Sequence, residues 1–198
     1  MHKNSLLLFK KYVVPLFKPG MRILEIGPAG FPSDYRRAVS VELQWDTLDI
    51  YESPQLTYSN AAQYSYPIPD DQYDVVLSGQ VMEHVKKIWI WIRELQRVCK
   101  PGGHVITITP VSWPYHEAPV DCWRIYPEGM RALLEDTSLR IVHCAFESLE
   151  CPQYKKDIPG RSLDFVPLKF RLFYRVAGRF GFPVERSYDL VTISEKQV

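Results

Sequence analysis

The chain has 198 residues, the size of one domain or of one domain carrying an insertion. Hydrophobic residues make up 46% and charged residues 24%, ordinary globular values that exclude disorder. With 24 basic and 23 acidic residues the net charge is +1, so the molecule as a whole carries no electrostatic footprint for nucleic acid and only a local basic patch remains allowed.

A chain of this size buries roughly 70% of its unfolded surface, so it needs no disulfide or metal staple. No apolar run is long enough to cross a bilayer. The start, MHKNSLLLFKKYVVPLF, holds a short apolar stretch from Leu6 to Phe9, broken by Lys10 and Lys11. It lacks the apolar core and small-residue cleavage site of a signal peptide and predicts a leading helix over residues 3–17, packed on the domain. Cys99, Cys122, Cys144 and Cys151 show no CxxC spacing, which reads as reduced thiols in a cytoplasmic protein.

Met21 to Ile26 (MRILEI) is a short apolar run ending in Gly27-Pro28-Ala29-Gly30, the pattern of a buried strand and its turn. Thr47 to Ile50 (TLDI) predicts a second strand, Leu56 to Ser59 (LTYS) a weaker third and Tyr73 to Ser78 (YDVVLS) a strong fourth. Val85, Ile88, Ile92, Leu95 and Val98 then recur at helical spacing. Lys100-Pro101-Gly102-Gly103 ends that helix, and His104 to Thr109 (HVITIT) follows as a β-branched strand. Pro127 to Glu135 predicts a helix with proline in its first turn. Leu139 to Phe146 and Asp189 to Ser194 read as the last two strands. Strands alternating with helices imply βα units and a mainly parallel sheet covered on both faces. The stretch from about 147 to 188, with a predicted helix at 167–180, reads as an insertion within a single domain spanning 1–198.

In an open α/β sheet, ligands bind at the carboxyl ends of the strands. The GPAG loop leaves backbone free to approach a ligand, and Asp49 lies near the usual separation of ~20 residues from the loop for an acid that holds ribose hydroxyls. These residues alone fit a plain tight turn, a nicotinamide site or another nucleotide site. The GxGxxG pattern fails, because Ala29 and Pro32 occupy its second and third glycine positions.

RILEIGPAG, then TLDI, then YPIPDDQYDVVLSGQVMEHV, then IRELQRVCKPGGHVITITP form an ordered set over residues 21–147 that resembles class I S-adenosylmethionine-dependent methyltransferases of the type 11-like group. The resemblance implies a Rossmann-like, doubly wound, seven-stranded sheet, with S-adenosylmethionine as cofactor. It places Glu25, Gly27, Pro28, Ala29 and Gly30 around the methionine moiety and Asp49 on the ribose. Asn60, Ala61 and Ala62 fall near the adenine, where the family often has an acid. Ser78, Gly79 and Gln80 fall below the transferring methyl. Ala29 in place of the family's middle glycine and the missing adenine acid are departures.

The piece after the fifth strand, TPVSWPYHEAPVDCWRIYPEGM, is dense in aromatic and polar groups. Trp113, Tyr115, Trp123 and Arg124 are the expected substrate contacts. His116 is the expected base or substrate hydrogen-bonding group, oriented by Asp121; His84 is a second candidate base. Asp121 and Arg124 also fit a structural pair that holds the loop. His116 and Asp121 are two scattered ligands, too few for a metal site, so none is expected. The segment at 147–188 interleaves Lys155, Lys156, Arg161, Lys169, Arg171, Arg175 and Arg179 with aromatic residues. A substrate lid is the expectation; a membrane-surface element, an oligomer contact such as a homodimer face and a packed helix with a solvated basic face are the alternatives. The leading expectation is methyl transfer to a small-molecule or sugar hydroxyl. A non-catalytic relative and a nucleotide-dependent oxidoreductase are the alternatives.

Overall fold

The computed structural model describes residues 3–117, 119–150 and 187–198. The first helix, α1 (Lys3–Leu8), runs on through a π turn (Phe9–Val13) and a 3-10 turn (Val14–Leu16). β1 (Arg22–Ile26), the short α2 (Asp34–Arg37) and β2 (Gln44–Leu48) follow. Then come β3 (Tyr73–Gly79), a 3-10 turn (Met82–His84), α3 (Ile88–Val98), β4 (Cys99–Pro110), α4 (Pro127–Leu134), β5 (Leu139–Glu147) and β6 (Asp189–Lys196).

The six strands form one sheet in the order β2-β1-β3-β4-β6-β5. β2, β1, β3 and β4 pair in parallel, whereas β6 runs antiparallel to both β4 and β5. Both faces are buried, as alternation along β3 shows: Val76 joins one core with Ile92 and Leu95 of α3, while Val75 and Leu77 join the other with Leu8 of α1 and Tyr35 of α2. In α3 the buried residues Ile88, Trp91, Ile92, Leu95 and Val98 fall on one stripe. Burying each such large side chain contributes about 1.5–3 kcal/mol.

Six strands stand where seven were expected among the described residues, and the difference has a local cause. LTYS runs beside β2 but holds it only near Tyr58, whose amide donates to Thr47 O at 2.9 Å and whose carbonyl accepts from Asp49 N at 3.1 Å. The Thr47 and Thr57 hydroxyls instead take each other's backbone amides, which replaces a continuous ladder. The helix expected from Val85 begins at Ile88, because Met82–His84 form a separate 3-10 turn. β4 begins earlier than His104: Cys99 pairs with Tyr73 and His104 with Val75, so Lys100–Gly103 bulge out between two paired stretches. The expected insertion helix at 167–180 lies outside the described residues. No helix among the described residues is long and apolar enough to cross a membrane.

Candidate active site

After β1 the chain must turn sharply, and Gly27 permits it. Its φ is +67°, and a Cβ there would lie 2.4 Å from Val81 Cγ2. Its amide donates to Leu48 O at 2.9 Å, fixing the loop to β2. Glu25 sits beneath the loop rather than on its surface. Its buried carboxylate accepts from Ser33 Oγ at 2.6 Å and Trp45 Nε1 at 2.8 Å, and burial raises its pKa against those two bonds. Ser33 in turn accepts the Arg36 amide and so caps α2. Glu25 therefore positions the loop through Ser33.

β3 ends at Gly79, where a Cβ would sit 2.2 Å from the hydroxyl of the buried Tyr35. Gln80 follows with φ 60°, a left-handed conformation uncommon for a residue with a side chain. Its amide donates to Ile108 O at 2.8 Å.

Together these ends line a cavity of about 230 Å³. Ile26, Gly27, Leu48, Asp49, Gln80 and His84 lie on its wall, joined by Ile50, Tyr51, Gln63, Tyr66, Val81, Val85, Trp91 and Pro119. The site thus opens at the carboxyl ends of β1, β2 and β3, where the strand order reverses. One Asp49 oxygen, Oδ1, accepts from Tyr51 N at 3.2 Å.

Of the residues expected around a cofactor, Gly27, Asp49 and Gln80 line the cavity; Pro28, Ala29, Gly30, Ser78 and Gly79 do not. Asn60, Ala61 and Ala62 also fall outside it, and Ala61 is packed into the core. Gln63 and Tyr66 line the cavity in that region. Tyr66 is held by a clasp that spacing alone does not reveal. Glu94 Oε1 accepts its amide at 2.5 Å, and Arg97 bridges Glu94, Asp70 and the Ile68 carbonyl. Trp91 shares the apolar stripe of α3 with Ile88 and Leu95, so its inward position was readable; its place on the cavity wall was not.

The segment after β4 folds back onto the Met82–His84 turn. Cys122 N donates to Glu83 O at 2.7 Å, and Trp123 Nε1 donates to Val85 O at 2.8 Å. Trp123 is thereby a clamp on the turn, and Trp113, Tyr115 and Arg124 also lie off the cavity wall. Arg124 donates to both Asp121 oxygens, at 2.5 and 2.7 Å, and to the Trp113 carbonyl. The guanidinium holds the Asp121 carboxyl down at about 2. Asp121 also accepts the His116 amide at 2.8 Å, so the Asp121–Arg124 pair shapes the loop that carries His116.

His116 and His84 meet edge to face, with ring centroids 5.0 Å apart. His84 Nε2 lies 3.7 Å from Glu83 Oε1. Glu83 is 1% exposed, and neither carboxylate oxygen has a hydrogen-bond partner among the described residues. Burial pushes its carboxyl up to about 8. The histidines expected as separate candidates thus belong to one cluster with Glu83, a residue whose burial carries no sequence signal.

Residues 36–107 match the methyltransferase domain family. An uncharacterized methyltransferase of Mycolicibacterium vanbaalenii is 31% identical over 94 residues, 42% of this chain and 37% of that protein. One from Mycobacteroides abscessus is 38% identical over 55 residues, 28% of this chain and 21% of that protein. The chain thus spans little more than a third, at most, of these two relatives. Haemonchus contortus phosphoethanolamine N-methyltransferase 2, solved with S-adenosyl-L-methionine, superposes with a TM-score of 0.62 at 16% identity, over 98% of this chain and 52% of that one. The chain has the fold of these methyltransferases, and residues 36–107 match the methyltransferase domain family model.

Proposed function

We propose that this chain transfers a methyl group from S-adenosylmethionine to a small-molecule or sugar acceptor, at a hydroxyl oxygen. The observation that carries this reading is the shared residue His84, which lines the cavity and belongs to the Glu83–His84–His116 cluster. A cofactor pocket and a polar acceptor region therefore adjoin.

The cavity residues suit the cofactor. Asp49 offers a carboxylate to ribose hydroxyl donors, and Leu48, Ile50, Tyr66 and Trp91 offer an apolar wall for a purine. Gly27 keeps the loop clear of a side chain where the backbone turns. The cofactor, when bound, supplies a methyl group already activated by its sulfonium charge. The chain's task is then to hold the acceptor oxygen in line at ~3 Å, a positioning effect worth several kcal/mol. A hydroxyl must also lose its proton, which adds ~100-fold or more when a group is placed to hold it. The Glu83–His84–His116 cluster is placed to promote that loss.

The test is transfer of labelled methyl from S-adenosylmethionine to a panel of hydroxylated small molecules and sugars. Label entering an acceptor with wild-type protein, and not with His116→Ala, supports the reading. Tight cofactor binding with no label on any acceptor would replace it with a non-catalytic, methyltransferase-like binding protein.

A further inference from the structure

We propose that Glu83, His84 and His116 form a site for one first-row divalent transition-metal ion, of which zinc is the reference case. One ligand atom from each of the three residues lies within 4.8 Å of the others. Tetrahedral coordination at about 2.0–2.2 Å puts ligand atoms roughly 3.4 Å apart, so His84 Nε2 and Glu83 Oε1, at 3.7 Å, are already near that spacing. Two imidazoles and one carboxylate are the donor set that zinc and its neighbours favour over magnesium or calcium. Three protein ligands leave a coordination position open.

Two independent observations point to a cation. The Glu83 carboxylate is 1% exposed, and both of its oxygens lack a hydrogen-bond partner among the described residues. A buried, unpartnered carboxylate is costly, and a bound cation removes that cost. Each histidine also has its Nδ1 beside a backbone carbonyl, a second partner that metal-bound histidines commonly have. His84 Nδ1 lies 2.5 Å from Val120 O and His116 Nδ1 lies 3.1 Å from Pro114 O. A carbonyl only accepts, so each neutral ring carries its proton on Nδ1 and keeps the Nε2 lone pair for a ligand bond. Asp121, 3.5 Å from His116 Nδ1, adds an outer carboxylate. If the methyl-transfer reading holds, on which this clause alone rests, the open position takes the acceptor's hydroxyl oxygen.

The experiment titrates tag-free, EDTA-treated protein with Co²⁺, read by its visible d–d absorption, and with Zn²⁺ in a calorimeter. Neither cofactor nor acceptor is present, so the result does not depend on methyl transfer. We expect one saturable ion per chain. His116→Ala, at a part-exposed loop residue, should lower affinity at least ~100-fold, no less than the loss of an outer partner costs. Glu83→Gln keeps the side-chain shape and should do the same, with circular dichroism confirming that each variant is folded. Absence of saturable binding, or equal binding by wild type and a folded His84→Ala/His116→Ala variant, would overturn the site. A metal-loaded chain that methylates nothing would leave it standing and sink the proposed function instead.

Discussion

Gln80 Nε2 donates to Asp189 Oδ1 at 3.1 Å, across 109 positions of sequence. The other oxygen of that fully buried carboxylate accepts from Asn4 Nδ2 at 2.7 Å and Ser187 Oγ at 3.0 Å. One carboxylate thus joins the first helix, the last strand and a cavity residue in a left-handed conformation. Asn4 also accepts the Leu149 amide at 2.7 Å. Asn4→Ala leaves several of these buried groups unpaired and should cost about 2–4 kcal/mol, seen as a lower urea midpoint. An unchanged midpoint would show that α1 is only draped on the sheet.

Gly27→Ala should damage both stability and cofactor binding. The left-handed φ costs roughly 1–2 kcal/mol, and the new methyl collides with Val81. Adding Val81→Ala removes the collision and leaves the backbone cost, so the double variant should recover part of the lost melting temperature. Full recovery would mean that the φ is unstrained; no recovery would mean that the collision is absent.

Asp74 provides an acid-sensitive tie far from the site. Burial raises its pKa, but the Arg22 amide at 2.7 Å and the Lys100 ammonium at 2.7 Å outweigh burial and hold the carboxyl below 3.8. A depressed folded pKa means that the stabilisation is present above the unfolded value near 3.8 and is lost as pH falls through the lower folded value. Wild type should exceed Asp74→Asn by about 1–2 kcal/mol at neutral pH, and the gap should close on approach to pH 2. Denaturation at several pH values reads this directly; a gap that persists in acid contradicts it.

His116→Ala should lower turnover by ~100-fold or more while leaving S-adenosylhomocysteine affinity unchanged, because His116 lies off the cavity wall. Wild-type turnover on a true acceptor would remove His116 from the chemistry. Arg124→Met frees Asp121 and should reduce turnover less, since it acts through the loop that holds His116.

Much of the fold was legible because apolar runs bounded by glycine and proline mark β1, β3 and β4, and the α3 stripe repeats at helical spacing. The weak strand at Leu56–Ser59 was overestimated, since local side-chain bonds from Thr47 and Thr57 compete with a ladder. In the candidate site, the order of motifs pointed to Gly27 and Asp49, and both line the cavity. Glu83 was not, because a carboxylate beside a histidine reads as an ordinary helix start until the folded chain buries it. Trp123 and Arg124 look like ligand contacts by composition, but their hydrogen bonds are spent on Val85 and Asp121. The adjacency of His84 and His116 depends on the loop folding back through Cys122 and Glu83, a contact that sequence spacing does not encode.

The proposed place of S-adenosylmethionine is the cavity lined by Gly27, Asp49 and Gln80. Calorimetric titration with S-adenosylhomocysteine, with NADH as control, tests it most directly. Saturable binding of the first at one molecule per chain is expected, weakened at least ~10-fold by Asp49→Ala, with no binding of NADH. Binding of NADH alone, or S-adenosylhomocysteine affinity unaffected by both Asp49→Ala and Gly27→Ala, would contradict it.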